Sequence, residues 1–201
     1  MQKILFTKGL TRAVLEGLKT KTRRIIKVPD TWHGIDVCGF GPDIDGESLL
    51  LYDAYESLIE DPKTRLCGQI MPRYKVGEIV AVAQCYEEAL SPLDWVNQLI
   101  YKDEPGWKNK MYVRADLMPH QIQINGYHVE RLQDISDEDC LKEGILAGNV
   151  EPKMYGFQNG KHKESYFTPR EAFAALINKT SGKHTWEDNP YTFVYEFELI
   201  K

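Results

Sequence analysis

The chain has 201 residues, 42% of them apolar, and a formal net charge of −5. That apolar content is enough for one compact domain, and no apolar run approaches the roughly 20 residues that cross a bilayer. Cys38, Cys67, Cys85 and Cys140 are far apart and form no CxxC pair, which argues against structural zinc or a disulfide framework and for a reduced, cytosolic setting.

The N-terminal stretch opens with Ile4-Leu5-Phe6, a short buried strand. From Thr7 to Leu18, the residues Leu10, Val14, Leu15 and Leu18 approximate one helical face, and Gly17 is a stop signal. Lys19 to Ile26, rich in Thr and β-branched residues, reads as extended. Between Met1 and Lys27 eight Lys or Arg face a single acid, Glu16, a local balance of +7, so the other 174 residues carry −12. An acidic chain that gathers its positive charge at one end suggests a local anion-binding surface; a solvated basic face is the plain alternative.

From Val28 to Leu66 the chain is acidic and punctuated by Gly and Pro, which predicts an insertion with one or two short strands, one near Ser48–Tyr52. Tyr74-Lys75-Val76-Gly77-Glu78 predicts a turn into an apolar strand, Ile79–Ala83. Glu87–His120 reads as a second insertion, with a short helix near Asp94–Ile100 and a brief strand at Met111–Val113. Ile122 to Leu132 suggests a strand or a bent hairpin turning at Asn125-Gly126. Ser136, followed by Asp137, Glu138 and Asp139, starts a helix that Gly144 closes. Gly148 to Tyr166 reads as a loop. Thr168-Pro169-Arg170-Glu171 is a capping box with Pro at the first helical position. Tyr191 to Leu199 alternates as a strand, with Tyr191, Phe193, Tyr195 and Phe197 expected in the core. Many strands and three short helices fit a mixed α+β or small β-barrel architecture.

Conventional cofactor signatures are missing. Gly39-Phe40-Gly41 lacks the third glycine of a dinucleotide loop, Asp43-Ile44-Asp45-Gly46 fits an EF-hand badly, and the histidines show no metal-site spacing. No cofactor and no metal are expected.

Four stretches in sequence resemble the ASCH family. Ala13-Val14-Leu15-Glu16-Gly17-Leu18-Lys19-Thr20-Lys21-Thr22-Arg23-Arg24 is similar to that family's E-G-x-K-T-x-T-R-R signature. Tyr74–Glu78 is similar to its glycine turn, Val129–Ser136 with Glu143-Gly144-Ile145 to its later segment, and Trp186–Pro190 leading into Val194–Phe197 to its end. The resemblance implies a single PUA-like domain over residues 1–201, a small mixed β-barrel with short flanking helices and two insertions, at about 28–66 and 87–120. It departs from the family at Ala83 and Gln84, where an Arg and a Glu are common.

PUA-like barrels commonly bind RNA, and some small ASCH proteins deacetylate N4-acetylcytidine. By motif, the resemblance implies that Lys19, Thr22 and Glu143 carry the chemistry: Thr22 attacks the amide carbonyl, Lys19 takes its proton and Glu143 relays a proton to the leaving amine. Lys21, Arg23, Arg24 and Trp186 are the expected ligand contacts. Trp186 has packing as its alternative role, and the arginines have ion pairing with the acidic excess. Three readings stand side by side at this point: a module binding RNA or a nucleotide- or nucleoside-sized ligand, an amidohydrolase on acylated pyrimidine nucleosides, and an interaction protein that meets a protein partner through its acidic insertions.

Overall fold

A computed structural model describes residues 1–55, 63–90, 94–149, 151–157 and 165–200. The chain starts with β1 (Gln2–Ile4) and turns at Thr7 into α1 (Lys8–Leu15), which buries Thr11, Ala13 and Val14. Gly17, at φ +71°, ends the helix in the left-handed region, where the lack of a Cβ removes the clash. The amides of Leu18 and Lys19 both return to the Ala13 carbonyl, and the chain then extends as β2 (Lys21–Ile25).

The stretch read as a first insertion contributes to the core. It holds a hairpin, β3 (Thr31–Trp32) and β4 (Ile35–Asp36), turned at His33-Gly34 with positive φ at both residues, and a meander of β5 (Gly39–Pro42), β6 (Leu49–Tyr55) and β7 (Lys63–Ile70). The expected strand near Ser48–Tyr52 is the first half of β6. Leu49 is fully buried and Ile70 packs against the same cluster, while the Gly46 carbonyl accepts from Val129 N–H at 2.6 Å. The acids Glu56, Glu60 and Asp61 of this stretch lie outside the described residues.

β8 (Ile79–Val82) follows the glycine turn, where Gly77 has φ +81°. The second expected insertion carries α2 (Tyr86–Ala89), α3 (Trp95–Tyr101), capped by the Asp94 carboxylate, and three 3-10 turns. Met111–Val113 is not the expected strand: Lys110–Tyr112 is a 3-10 turn. The Lys3 ammonium takes the carbonyls of Met111 and Val113, at 2.8 and 2.6 Å, which a neighbouring strand would otherwise have used.

β9 (Gln121–Arg131) is one long strand, so Asn125-Gly126 is not a hairpin turn. The pair instead forms a bulge: Glu196 faces Gly126 and Phe197 faces Ile124, leaving Asn125 without a partner position. After it come α4 (Asp137–Lys142), capped by Ser136, the ribbon β10 (Leu146–Ala147) and β11 (Tyr155–Gly156), and α5 (Pro169–Ser181) with its full capping box at Thr168 and Glu171. The ribbon occupies part of the expected 148–166 loop, of which residues 150 and 158–164 lie outside the description. α6 (Thr185–Asp188) leads into β12 (Tyr191–Leu199).

The main sheet runs β1-β8-β9-β12-β2, with β1 and β8 parallel and the other neighbours antiparallel. β1 and β2 are its edges, so the architecture is mixed α+β and its ladder does not close among the described residues. The edges are joined by a side chain instead: Arg24 Nη2 of β2 donates to the Leu5 carbonyl just beyond β1, at 2.7 Å. β12 is buried on both faces. Phe193, Tyr195 and Phe197 join Ile4, Phe6, Val80, Val82, Ile122 and Ile124 in the main core, while Thr192 and Val194 are buried on the opposite side. Tyr191 is only half-buried. A second core lies between α4 and α5, and a third beneath residues 87–120, where Ala81 and Ala83 meet Tyr86, Val113 and Met118. No helix among the described residues is long and apolar enough to cross a membrane.

Candidate functional site

Lys19 sits in the turn between α1 and β2, where it escapes the alternation of the strand that follows. Only 2% of it is exposed, and its ammonium uses all three protons: on the Lys21 carbonyl at 2.7 Å, the Glu143 carbonyl at 2.8 Å and Glu143 Oε2 at 2.5 Å. Glu143 reaches this point from the C-terminus of α4, stitched to the turn by the Thr20 amide on the Lys142 carbonyl. Gly144 makes the approach possible. At φ +98° it turns the chain, and a Cβ there would lie 3.1 Å from Leu10 and 3.7 Å from the Cβ of Lys19.

β2 divides the rest of the basic tract between two faces, because successive strand side chains point opposite ways. Lys21 and Arg23 meet acids. Lys21 pairs with Asp139 at 3.0 Å and Glu196 at 2.7 Å. Arg23, itself buried, reaches Glu130 at 2.6 Å, Glu143 Oε1 at 3.1 Å and Asp139 at 3.3 Å. These two expected ligand contacts are therefore committed to a carboxylate network.

Thr22 and Arg24 lie on the other face, opposite Tyr195 and Phe193 of β12. Thr22 is buried, yet no hydrogen bond links its hydroxyl to Lys19 or Glu143 among the described residues. The structure thus brings Lys19 and Glu143 together without drawing the Thr22 hydroxyl into their contact. Arg24 has no carboxylate partner among the described residues, and its Nε is buried without an acceptor. Lys19 Nζ and Arg24 Cζ stand 5.6 and 5.3 Å from the centre of the Phe6 ring, so one aromatic ring borders both cations.

Burial lowers the pKa of Lys19 from its ordinary value; Glu143 pulls against it, and the charges of Arg24 and Arg23 add to the lowering. Arg24 is likewise lowered by burial. Desolvation pushes the Asp139 and Glu130 carboxyls up, but their cationic and hydrogen-bonding neighbours win and leave both below the usual range: Lys21 and Arg23 at Asp139, His128 and Arg23 at Glu130.

A cavity of about 360 Å³ opens beside Arg24, walled by Leu5, Ile70, Tyr74, Phe193 and Tyr195 with Lys27 and Arg73 among its lining. Lys19, Thr22 and Glu143 do not line it. Trp186 does not line it either: the indole packs edge-on against Phe173, under the Arg170 guanidinium, with its backbone held by Asn178 and Gln133. Sequence reasoning missed Lys27, Arg73, Tyr74 and Tyr195 as candidates. Arg73-Tyr74 precedes the glycine turn, and no periodicity or spacing marks it; only the curl of the sheet brings it to β2. No family model, curated protein or solved structure matches this chain.

Proposed function

We propose that the protein is a nucleoside- or nucleotide-binding module of the ASCH type, its curled sheet corresponding to a PUA-like barrel. The observation that carries this reading is a convergence. Lys19 and Glu143, 124 positions apart, meet at 2.5 Å, and Lys19 shares the Phe6 ring with Arg24, which walls the cavity. About 360 Å³ falls in the range of small-molecule sites, with apolar and aromatic walls around a few polar groups. RNA would present one nucleotide to a cavity of this size, not a duplex.

The Lys19–Glu143 contact favours a second, narrower reading: hydrolysis of an N4-acylated cytidine. Burial weakens the hold of Lys19 on its proton, which favours the neutral amine that the chemistry needs. The reading requires a bound ligand to draw the Thr22 hydroxyl to Lys19, whose neutral amine then takes its proton as that oxygen attacks the acyl carbonyl. Glu143 Oε2, 2.5 Å from the Lys19 nitrogen, relays that proton to the departing cytidine amine. Water then cleaves the Thr22 ester, releasing the carboxylic acid and restoring the hydroxyl.

Calorimetric titration with cytidine and its monophosphate, together with incubation with N4-acetylcytidine followed by chromatography, tests both readings. Saturable binding supports the module; no binding of either ligand or of a short single-stranded RNA sinks it. Cytidine production that Thr22→Ala abolishes while binding survives supports the hydrolase. Absent turnover, or turnover indifferent to Thr22→Ala and Lys19→Met, removes the hydrolase and leaves the module standing.

A further inference from the structure

We infer that the cavity between the sheet edges contains a phosphate-ester subsite, formed by Arg24 within and Lys27 and Arg73 at its mouth, so that the preferred ligand is a nucleoside monophosphate rather than the free nucleoside. This rests on the nucleoside-binding reading above and adds the charged half of the ligand.

The charge of the cavity wall is the first ground. Its lining contains three cations, Arg24, Lys27 and Arg73, and not one carboxylate, in a chain whose net charge is −5. The other cations between Lys19 and Arg24 are balanced locally: Lys19, Lys21 and Arg23 each hold at least one carboxylate. None of the three cavity cations forms an ion pair among the described residues. An acidic protein that leaves three neighbouring cations unpaired around one concavity has built a local anion trap.

The state of Arg24 is the second ground. A buried polar group without a partner costs free energy, and a guanidinium costs more than a neutral donor. The Nη2 bond to the Leu5 carbonyl and the Phe6 ring fix the guanidinium in place, while its buried Nε–H has no acceptor. A fixed guanidinium with a spare donor suits a phosphate oxygen. Tyr195 adds to this. Its phenol oxygen accepts from the Arg73 amide at 2.9 Å, so its own proton is free to be donated to a ligand oxygen.

The division of labour follows from exposure. Lys27 and Arg73 are exposed and Arg24 is not. The phosphate therefore sits between the inner guanidinium and the outer pair, and Leu5, Ile70 and Phe193 line the space left for the apolar faces of sugar and base.

The test is calorimetric titration of the full chain with cytidine, cytidine 5′-monophosphate and inorganic phosphate, at low and high salt. The expected result is monophosphate binding at least about tenfold tighter than cytidine, with only the monophosphate weakened by salt. The double variant Lys27→Ala/Arg73→Ala alters two exposed side chains and should keep the fold; it should lose about tenfold in monophosphate affinity and leave cytidine unchanged. Equal affinity for the two ligands, or equal weakening of both in the variant, overturns the phosphate subsite while the nucleoside pocket stands. Binding of inorganic phosphate with neither organic ligand supports the anion subsite and contradicts the nucleoside reading. No binding of any of the three overturns both.

Discussion

Glu143 supplies the only carboxylate partner of Lys19 among the described residues and one of three for Arg23. Replacing it with Gln leaves the 2%-exposed Lys19 charged and uncompensated, which should destabilise the protein by about 3 kcal/mol in urea unfolding. Replacing both partners by apolar residues, Lys19→Met with Glu143→Leu, should recover most of that loss, because the desolvation cost disappears with the charges. A double variant no more stable than Glu143→Gln would show that the pair does not act as a unit. Acid sensitivity belongs to the same network. The Asp139 and Glu130 carboxyls titrate below their unfolded values, so the stability they contribute is complete above about pH 4 and is lost as pH falls through the folded values. Lys21→Met removes one cause of the Asp139 depression and should flatten the decline in stability below about pH 4. An unchanged acid slope would contradict that assignment.

Among the elements, those whose cause is local were legible in the sequence. The Thr168 capping box, the Ser136 cap, the alternation of Tyr191–Leu199 and the glycine stop at Gly17 all depend on residues within a few positions of one another, and each element forms where its signals stand. Elements that depend on a distant partner were not. Asn125-Gly126 has the composition of a hairpin turn, but β12 pairs along both sides of it and converts it to a bulge. The acidic 28–66 stretch hid a meander because its buried residues, Leu49 and Leu51, are outnumbered by Gly, Pro and acids. Gly68 marks how the hairpin at 31–36 docks on that meander: a Cβ there would fall 2.5 Å from Trp32 Nε1. Gly68→Ala should displace the indole and cost about 1–3 kcal/mol, with faster amide exchange across β3, β4 and β7. Unaltered exchange in these strands would mean that the indole yields without disturbing them.

At the scale of the whole molecule, the curl of one sheet determines what the basic tract can do. The tract looks like a continuous cationic surface in the sequence, yet Lys19, Lys21 and Arg23 point into ion pairs while Arg24 and Lys27 line the cavity. That sorting was out of reach of a linear reading, since it needs Glu130, Asp139, Glu143 and Glu196 brought from three distant segments, and Arg73 from a fourth. The resemblance pointed to Glu143 as a partner of Lys19 through motif order alone; neither charge nor spacing could have done so across 124 positions. The central claim is that the cavity beside Arg24 receives a nucleotide. Titrating isotope-labelled protein with cytidine 5′-monophosphate, while following the Arg24 Nε–H and the backbone amides by NMR, tests it most directly. The account predicts a saturable shift of the Arg24 Nε–H, with the amides of Lys27, Arg73 and Tyr195 moving in step. Absence of any shift, or shifts confined to residues away from that cavity, would contradict it.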